Sequence, residues 1–418
     1  MEERLDEYRK RLDKEEIPAD LLDHAIEAGV QMARQEQKRR PRRIWILSVA
    51  MVAILLVGFS SIGKIMELIQ HDKGLMSAVE HEYYEEIGVS EKKNGIEFVI
   101  EGAIADEKGL VLFYTIKTDE KQTNLSFEDI DLKVLDGGKI NPSSISSGGL
   151  HKRENSKKSS SGMLEFFFRD NLTSREFQLK TAVKGDGVRE NFSLNFSLTK
   201  EIRMKKVYPL NKTVVIEGQK IDFVEATIFP LRVAIHLKID PNNTKELLEI
   251  EDMRLVDEHG EVWSKILNGT TRTGVTEHEF IYYLQSNYFK EPKELYLAFG
   301  KIQAVDKEYR EVVIDTEQMK ILKQPPGNRL KGLEIYGGDI RMKLYTEKEF
   351  PYGIFSEVVD GKGNTVDITS NYMSSRRDEG YTLSGVTIPD LKSYPNPISL
   401  KLSFFPEWII GDEKIKIK

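Results

Sequence analysis

Hydrophobic and polar positions follow three successive patterns along this chain. The first is amphipathic. Leu5, Tyr8 and Leu12 recur at helical spacing, Ile17-Pro18 interrupts, and Leu22, Ala25, Ile26, Gly29 and Ala33 make a second apolar stripe. The second is an unbroken apolar run at 44–63, IWILSVAMVAILLVGFSSIG, with neither charge nor proline. At about 1.5 Å per residue such a run spans about 30 Å, the hydrocarbon thickness of a bilayer. The third begins after Asn94 and lasts to the C-terminus. Short runs such as GIEFVIEGAI, LVLFYTIKTD, FSLNFSL, FIYYL and SLKLSFF alternate apolar and polar positions and are separated by Gly/Asp turns.

These patterns predict one transmembrane helix (44–63) between a short helical leader and a region of strands. Arg39, Arg40, Arg42 and Arg43 stand immediately before the apolar run. Positive charge stays on the cytoplasmic side, so residues 1–43 are expected inside and 64–418 outside, with Trp45 as an interfacial anchor. A buried core helix or a cleaved signal peptide is the alternative. The first would need a polar face over this length, and the second a shorter apolar region. Residues 64–94 read as a membrane-proximal helical stalk: Ile65, Met66 and Ile69 share a face, and Leu75, Ala78 and Val79 repeat it before the acidic run EHEYYEE.

An internal repeat divides the strand region. IEFVIEGAI resembles IDFVEATI, LVLFYTIKTD resembles LRVAIHLKID, and the turn at Asp136 resembles that at Asp257, the last two pairs at one common offset. A third copy places Asp360 and Ile398 in step with Asp257 and Leu295. The expected fold class is mainly β, as tandem β-sandwich (immunoglobulin-like) domains at 95–204, 205–323 and 324–418, with QPPGNRLKG as the second linker. One large two-sheet domain is the alternative.

Composition narrows the chemistry. The chain has 418 residues, a formal charge of −7 and no cysteine. Nucleic acid is not an expected partner of the bulk of the protein. Disulfides, thiolate zinc sites and cysteine nucleophiles are excluded. The seven histidines form no H-E-x-x-H, and the chain has no P-loop, no G-x-G-x-x-G and no G-x-S-x-G elbow. The expectation is therefore no enzyme, no catalytic residue, no metal and no cofactor. The basic, serine-rich stretch 151–162 reads as a long exposed loop.

Leu75 to Asp119 carry a resemblance. The helix LMSAVEHEYYEEIGVS is followed by NGIEFVIEGAIADEKGLVLFYTI, with Gly95-Ile96 and Ala105-Asp106 to Leu110 in the spacing of the pattern. This resembles a family of Gram-positive single-pass membrane proteins of unknown function. In them a membrane-proximal β domain follows the transmembrane helix and an immunoglobulin-like domain comes next. The resemblance implies an anti-sigma role, since such proteins are often encoded beside extracytoplasmic-function sigma factors. The chain lacks the H-x-x-x-C-x-x-C of zinc-type anti-sigma factors, so a sigma contact would fall to metal-free helices. Leu5, Tyr8, Leu12, Leu22, Ile26 and Ala33 are the expected partner-binding positions, because nothing in a leader this short can bury both stripes. The functional expectation is a membrane regulator that binds or senses a cell-envelope ligand outside and holds a cytoplasmic sigma factor. The alternative is a surface binding or adhesion protein with no signalling role.

Overall fold

The computed structural model describes residues 62–119, 125–137, 140, 142–152, 158–185, 188–266, 271–376 and 379–418. The leader, its partner-binding and arginine positions, and the apolar run up to residue 61 lie outside the described residues. Among the described residues no helix is long and apolar enough to cross a membrane.

Lys64 to Lys418 form one compact unit, mainly β, with several sheets and antiparallel pairing throughout its ladders. It opens with helical residues 64–68 and α1 (Lys73–Glu80). Eight strands follow: β1 (Glu85–Lys93), β2 (Ile96–Ala105), β3 (Gly109–Thr118), β4 (Ser126–Val134), β5 (Pro142–Lys152), β6 (Ser159–Phe168), β7 (Glu176–Gly185) and β8 (Val188–Ser197). They make the sheets β1-β2-β3-β6-β5 and β4-β7-β8, which share a core around Phe98, Tyr114, Phe177 and Phe192. β1 and β2 are joined by Asn94-Gly95, with φ of 43° and 79°. Both residues are left-handed, the geometry of the two-residue hairpin turn that Asn-Gly favours.

The next strands are β9 (Lys206–Ile216), β10 (Gln219–Ile228), β11 (Arg232–Ile239), β12 (Lys245–Ile250), β13 (Arg254–Asp257), β14 (Val262–Trp263), β15 (Arg272–Thr276), β16 (Glu279–Gln285) and β17 (Leu295–Asp306). Sheet β15-β16-β11-β10-β9 faces β12-β17-β13-β14 over Phe223, Trp263 and Phe299. Glu217-Gly218 repeats the left-handed turn of Asn94-Gly95, at φ of 46° and 79°.

The last group holds β18 (Glu311–Asp315), β19 (Lys320–Lys323), β20 (Leu330–Tyr336), β21 (Asp339–Tyr345), β22 (Phe355–Val359), β23 (Thr365–Val366), β24 (Ser370–Arg376), β25 (Tyr381–Thr387), β26 (Ile398–Leu402) and β27 (Trp408–Lys416). Sheets β19-β18-β26-β22-β23 and β20-β21-β25-β24 enclose Met342, Phe355 and Phe405. Two turn landmarks of the repeat, Asp257 and Asp360, share one geometry. Asp257 Oδ1 accepts the N–H groups of His259 and Glu261 at 2.9 and 2.8 Å. Asp360 Oδ1 accepts those of Lys362 and Asn364 at 2.8 and 2.9 Å.

Two expected boundaries differ. The third sheet pair does not run from 324 to 418. β18 and β19 already belong to it, so QPPGNRLKG joins two of its own strands. Its last residues leave it: β27 returns to pair with β17, and Ile409, Ile415 and Ile417 enter the second core. The reason is the free edge of β17. β12 and β13 occupy one edge in succession, and only β27 closes the other. The expected helical stalk at 64–94 also differs, since α1 ends at Glu80 and β1 begins at Glu85. Residues of the expected stalk, Ile65, Ile69, Leu75 and Ala78, are packed in a core.

Candidate functional site: the docked segment at 64–84

β3, GLVLFYTIKT, is apolar at almost every position, and the fold shows why. Leu110, Leu112, Tyr114 and Ile116 face the first core. Val111 and Phe113 face the other way and are covered by Ile65, Ile69, Leu75 and Ala78. A strand buried on both faces reads as a continuous hydrophobic run.

The covering segment lies where the first and second sheet pairs meet, since Leu231 of the second pair joins the same cluster. Asp72 caps α1, its Oδ1 accepting the Leu75 N–H at 2.9 Å. Gly74 sits against the loop after β16: a Cβ there would stand 2.7 Å from Ser286 N. Gln285 Nε2 donates to His71 O at 3.1 Å, and Lys73 Nζ donates to Val262 O at 2.9 Å. After α1, the Tyr83 hydroxyl donates to Ala105 O at 2.8 Å and accepts from Arg203 N at 3.1 Å. Phe289 stacks on His81 at 5.3 Å and lies 5.3 Å from Tyr83, with the Arg203 guanidinium over both Tyr83 and Phe289. The segment is thus held by both sheet pairs at once.

Beneath it lies a charged cluster. Asp106, fully buried between β2 and β3, accepts the N–H groups of Lys108 at 2.8 Å and Leu231 at 3.0 Å. Arg232, also buried, stacks over Phe167 at 4.4 Å, and its Nε has no partner. Burial raises the carboxyls of Asp72, Asp106 and Glu165, and the Arg232 guanidinium opposes the rise in all three. Glu165 reaches about 7, pushed by burial and by the Asp72 charge. Three carboxylates facing one guanidinium in a low-dielectric junction cannot all ionise without cost. Among the described residues no group of three or more His, Asp or Glu side chains is placed to hold a metal ion.

The sequence-predicted partner-binding and topology residues lie outside the described residues. The cluster itself was not anticipated. In the sequence Asp106 stands out only within the Ala105-Asp106 pattern, while Asp72, Glu165 and Arg232 carry no local signal; elements far apart in sequence bring them together.

Two family models match parts of the chain. Residues 37–118, from the basic run through β3, match the model described as Domain of unknown function (DUF4179). Residues 205–335, from just before β9 into β20, match the Family of unknown function (DUF5643). No curated protein matches the chain. A solved structure titled the crystal structure of the conserved domain protein from Bacillus anthracis is similar over 57% of this chain and 84% of its own, at 14% identity and a TM-score of 0.39. A likeness that slight carries no argument.

Proposed function

We propose that this protein is a single-pass membrane regulator whose outer β region governs a cytoplasmic leader. The observation that supports this reading is the docking of residues 64–84 into the seam between the first and second sheet pairs. A segment directly after a membrane span, gripped by two bodies, is displaced whenever those bodies rearrange. A free stalk would transmit nothing. In this reading the sheet pairs are immunoglobulin-like sandwiches outside the cell. Residues 1–43 lie inside and hold a sigma factor through Leu5, Tyr8, Leu12, Leu22, Ile26 and Ala33. Arg39, Arg40, Arg42 and Arg43 fix the orientation, and neither enzyme chemistry nor a cofactor takes part. Release would follow when the seam opens and the segment is exposed to cleavage or movement.

The test pairs binding with output. A leader peptide 1–43 should capture an extracytoplasmic-function sigma factor from the same cell, and Leu12→Glu with Ile26→Glu should abolish capture and raise transcription from that factor's promoters. Unchanged transcription, with the variant still in the membrane, removes the sigma reading. A surface-binding role without signalling is the second reading; the basic, aromatic outer face of the sheet built on β20 and β21 favours it.

A further inference from the structure

The sheet β20-β21-β25-β24 turns Ile340, Met342, Leu344 and Val386 into the third core. Alternation sends Lys331, Arg341, Lys343, Tyr345, Tyr372 and Tyr381 to the other face. There each tyrosine lies under a cation: Lys331 over Tyr345 at 5.5 Å, Lys343 over Tyr381 at 5.0 Å, Arg341 over Tyr372 at 5.7 Å. Asp339 is engaged by Arg341 at 2.7 Å and by the Thr387 hydroxyl at 2.6 Å. Glu334 lies farther along, opposite Arg341.

Lys331 and Lys343 are direct cross-strand partners. Like charges placed opposite each other on a ladder destabilise it. Among the described residues neither ammonium has a carboxylate partner. The Lys343 stem crosses Gly332, 3.6 Å from where a Cβ would stand, so the bulge at Lys331/Glu334 makes room for it. Beside this pair runs an open groove of about 590 Å³ bordered by Pro326, Asn328, Arg329, Lys331 and Tyr345, with Glu407 in its wall near Arg329.

We propose that this face, at its Tyr345 end, binds an anionic polymer whose backbone alternates phosphodiester groups with sugar or polyol units. Two ammoniums and the Arg329 fork suit an acceptor that offers several oxygens at one charge. The tyrosine rings offer apolar faces to the C–H surfaces of the intervening units. A groove suits a chain better than it suits a flat bilayer. The inference deepens the reading that this region faces the outside, and names what it meets there.

The test titrates the full chain, in neutral detergent, with poly(glycerol phosphate), polyglutamate, neutral dextran and phosphatidylglycerol vesicles. Binding to poly(glycerol phosphate) is expected, weakening with salt, and absent for dextran. Lys331→Gln with Lys343→Gln should lower affinity at least about tenfold and reduce the salt slope by roughly two. The same double variant should unfold at an equal or higher temperature, because the like-charge pair is gone; a purely structural role would lower it. Tyr345→Ala should weaken binding without changing the salt slope. Undiminished binding by the double variant overturns the proposal. So does equal binding to polyglutamate, which marks a general polyanion surface, or equal variant-sensitive binding to vesicles, which marks a lipid surface. Reporter fusions after Ser90 and after Ala33 test orientation separately, so failure of the topology and failure of the ligand are told apart.

Discussion

The Asp106 carboxylate of the first sheet pair accepts the backbone N–H of Leu231 in the second, across 3.0 Å. Leu231 is itself packed on Val111, Phe113 and the helix in front of them. One buried side chain therefore ties the first pair, the second pair and the segment 64–84 together.

Asp106→Ala should loosen the seam. It leaves the Lys108 and Leu231 N–H groups without their acceptor, and an unsatisfied buried donor costs about 1–3 kcal/mol. Asp106→Asn keeps one acceptor and should lose less. Urea unfolding of both variants, followed by limited proteolysis mapped to residues 64–84, measures the difference. Equal stability of Asp106→Ala and the parent would show that the tie contributes nothing.

Stability should fall as pH rises from about 4.5 to about 7. Glu165 has a folded value of about 7, above the unfolded 4.5. Between these the folded state holds a proton that the unfolded state has released. The contribution is therefore full below about 4.5, declines as pH rises, and is gone above about 7. Its size is on the order of 3 kcal/mol. Arg232 and Asp72 face the same carboxyl, so the curve is shared with them. Glu165→Gln should flatten this part of the profile, read from denaturant midpoints at several pH values; an unchanged slope would assign it to Asp72 or Asp106.

Gly74→Val should undock α1 without unfolding the sheets. The Cβ would meet Ser286 N at 2.7 Å, and this neighbour is backbone, which cannot swing away. Proteolysis should then cut between residues 64 and 84 while the β circular-dichroism signal persists. If the proposed function holds, the same variant in cells should release the cytoplasmic partner without any external signal.

Ending the chain after residue 406 should damage the second sheet pair more than the third. It removes β27 from the edge of β17 and takes Ile409, Ile415 and Ile417 out of the second core. Each buried isoleucine is worth about 1.5–3 kcal/mol, so the loss should exceed what one sheet pair can spare. By the same argument a fragment 205–323 should be less stable than 205–418, although the repeat alone marks it as a unit. Tryptophan fluorescence of Trp263, buried in the second core, reports the change.

The sequence alone determined that the region after Asn94 is mainly β. Period-two alternation and left-handed turn residues such as Asn94-Gly95 are local facts, and backbone geometry enforces them wherever the strands end up. It also marked the turn landmarks Asp257 and Asp360, because an Asp followed closely by Gly closes its turn with its own carboxylate. What it could not decide is which edge pairs with which. β27 carries the same alternation as any other strand, and only the vacant side of β17 assigns it to the second pair rather than the third. The helical spacing of Leu75, Ala78 and Val79 was equally plain, but an apolar stripe does not name its partner. That the stripe meets the outer face of β3 and the loop at Ser286, and that Asp72, Asp106, Glu165 and Arg232 then share one junction, follows from contacts between residues far apart in the chain. Burial raises the three carboxyls, and burial is a property of the folded chain alone.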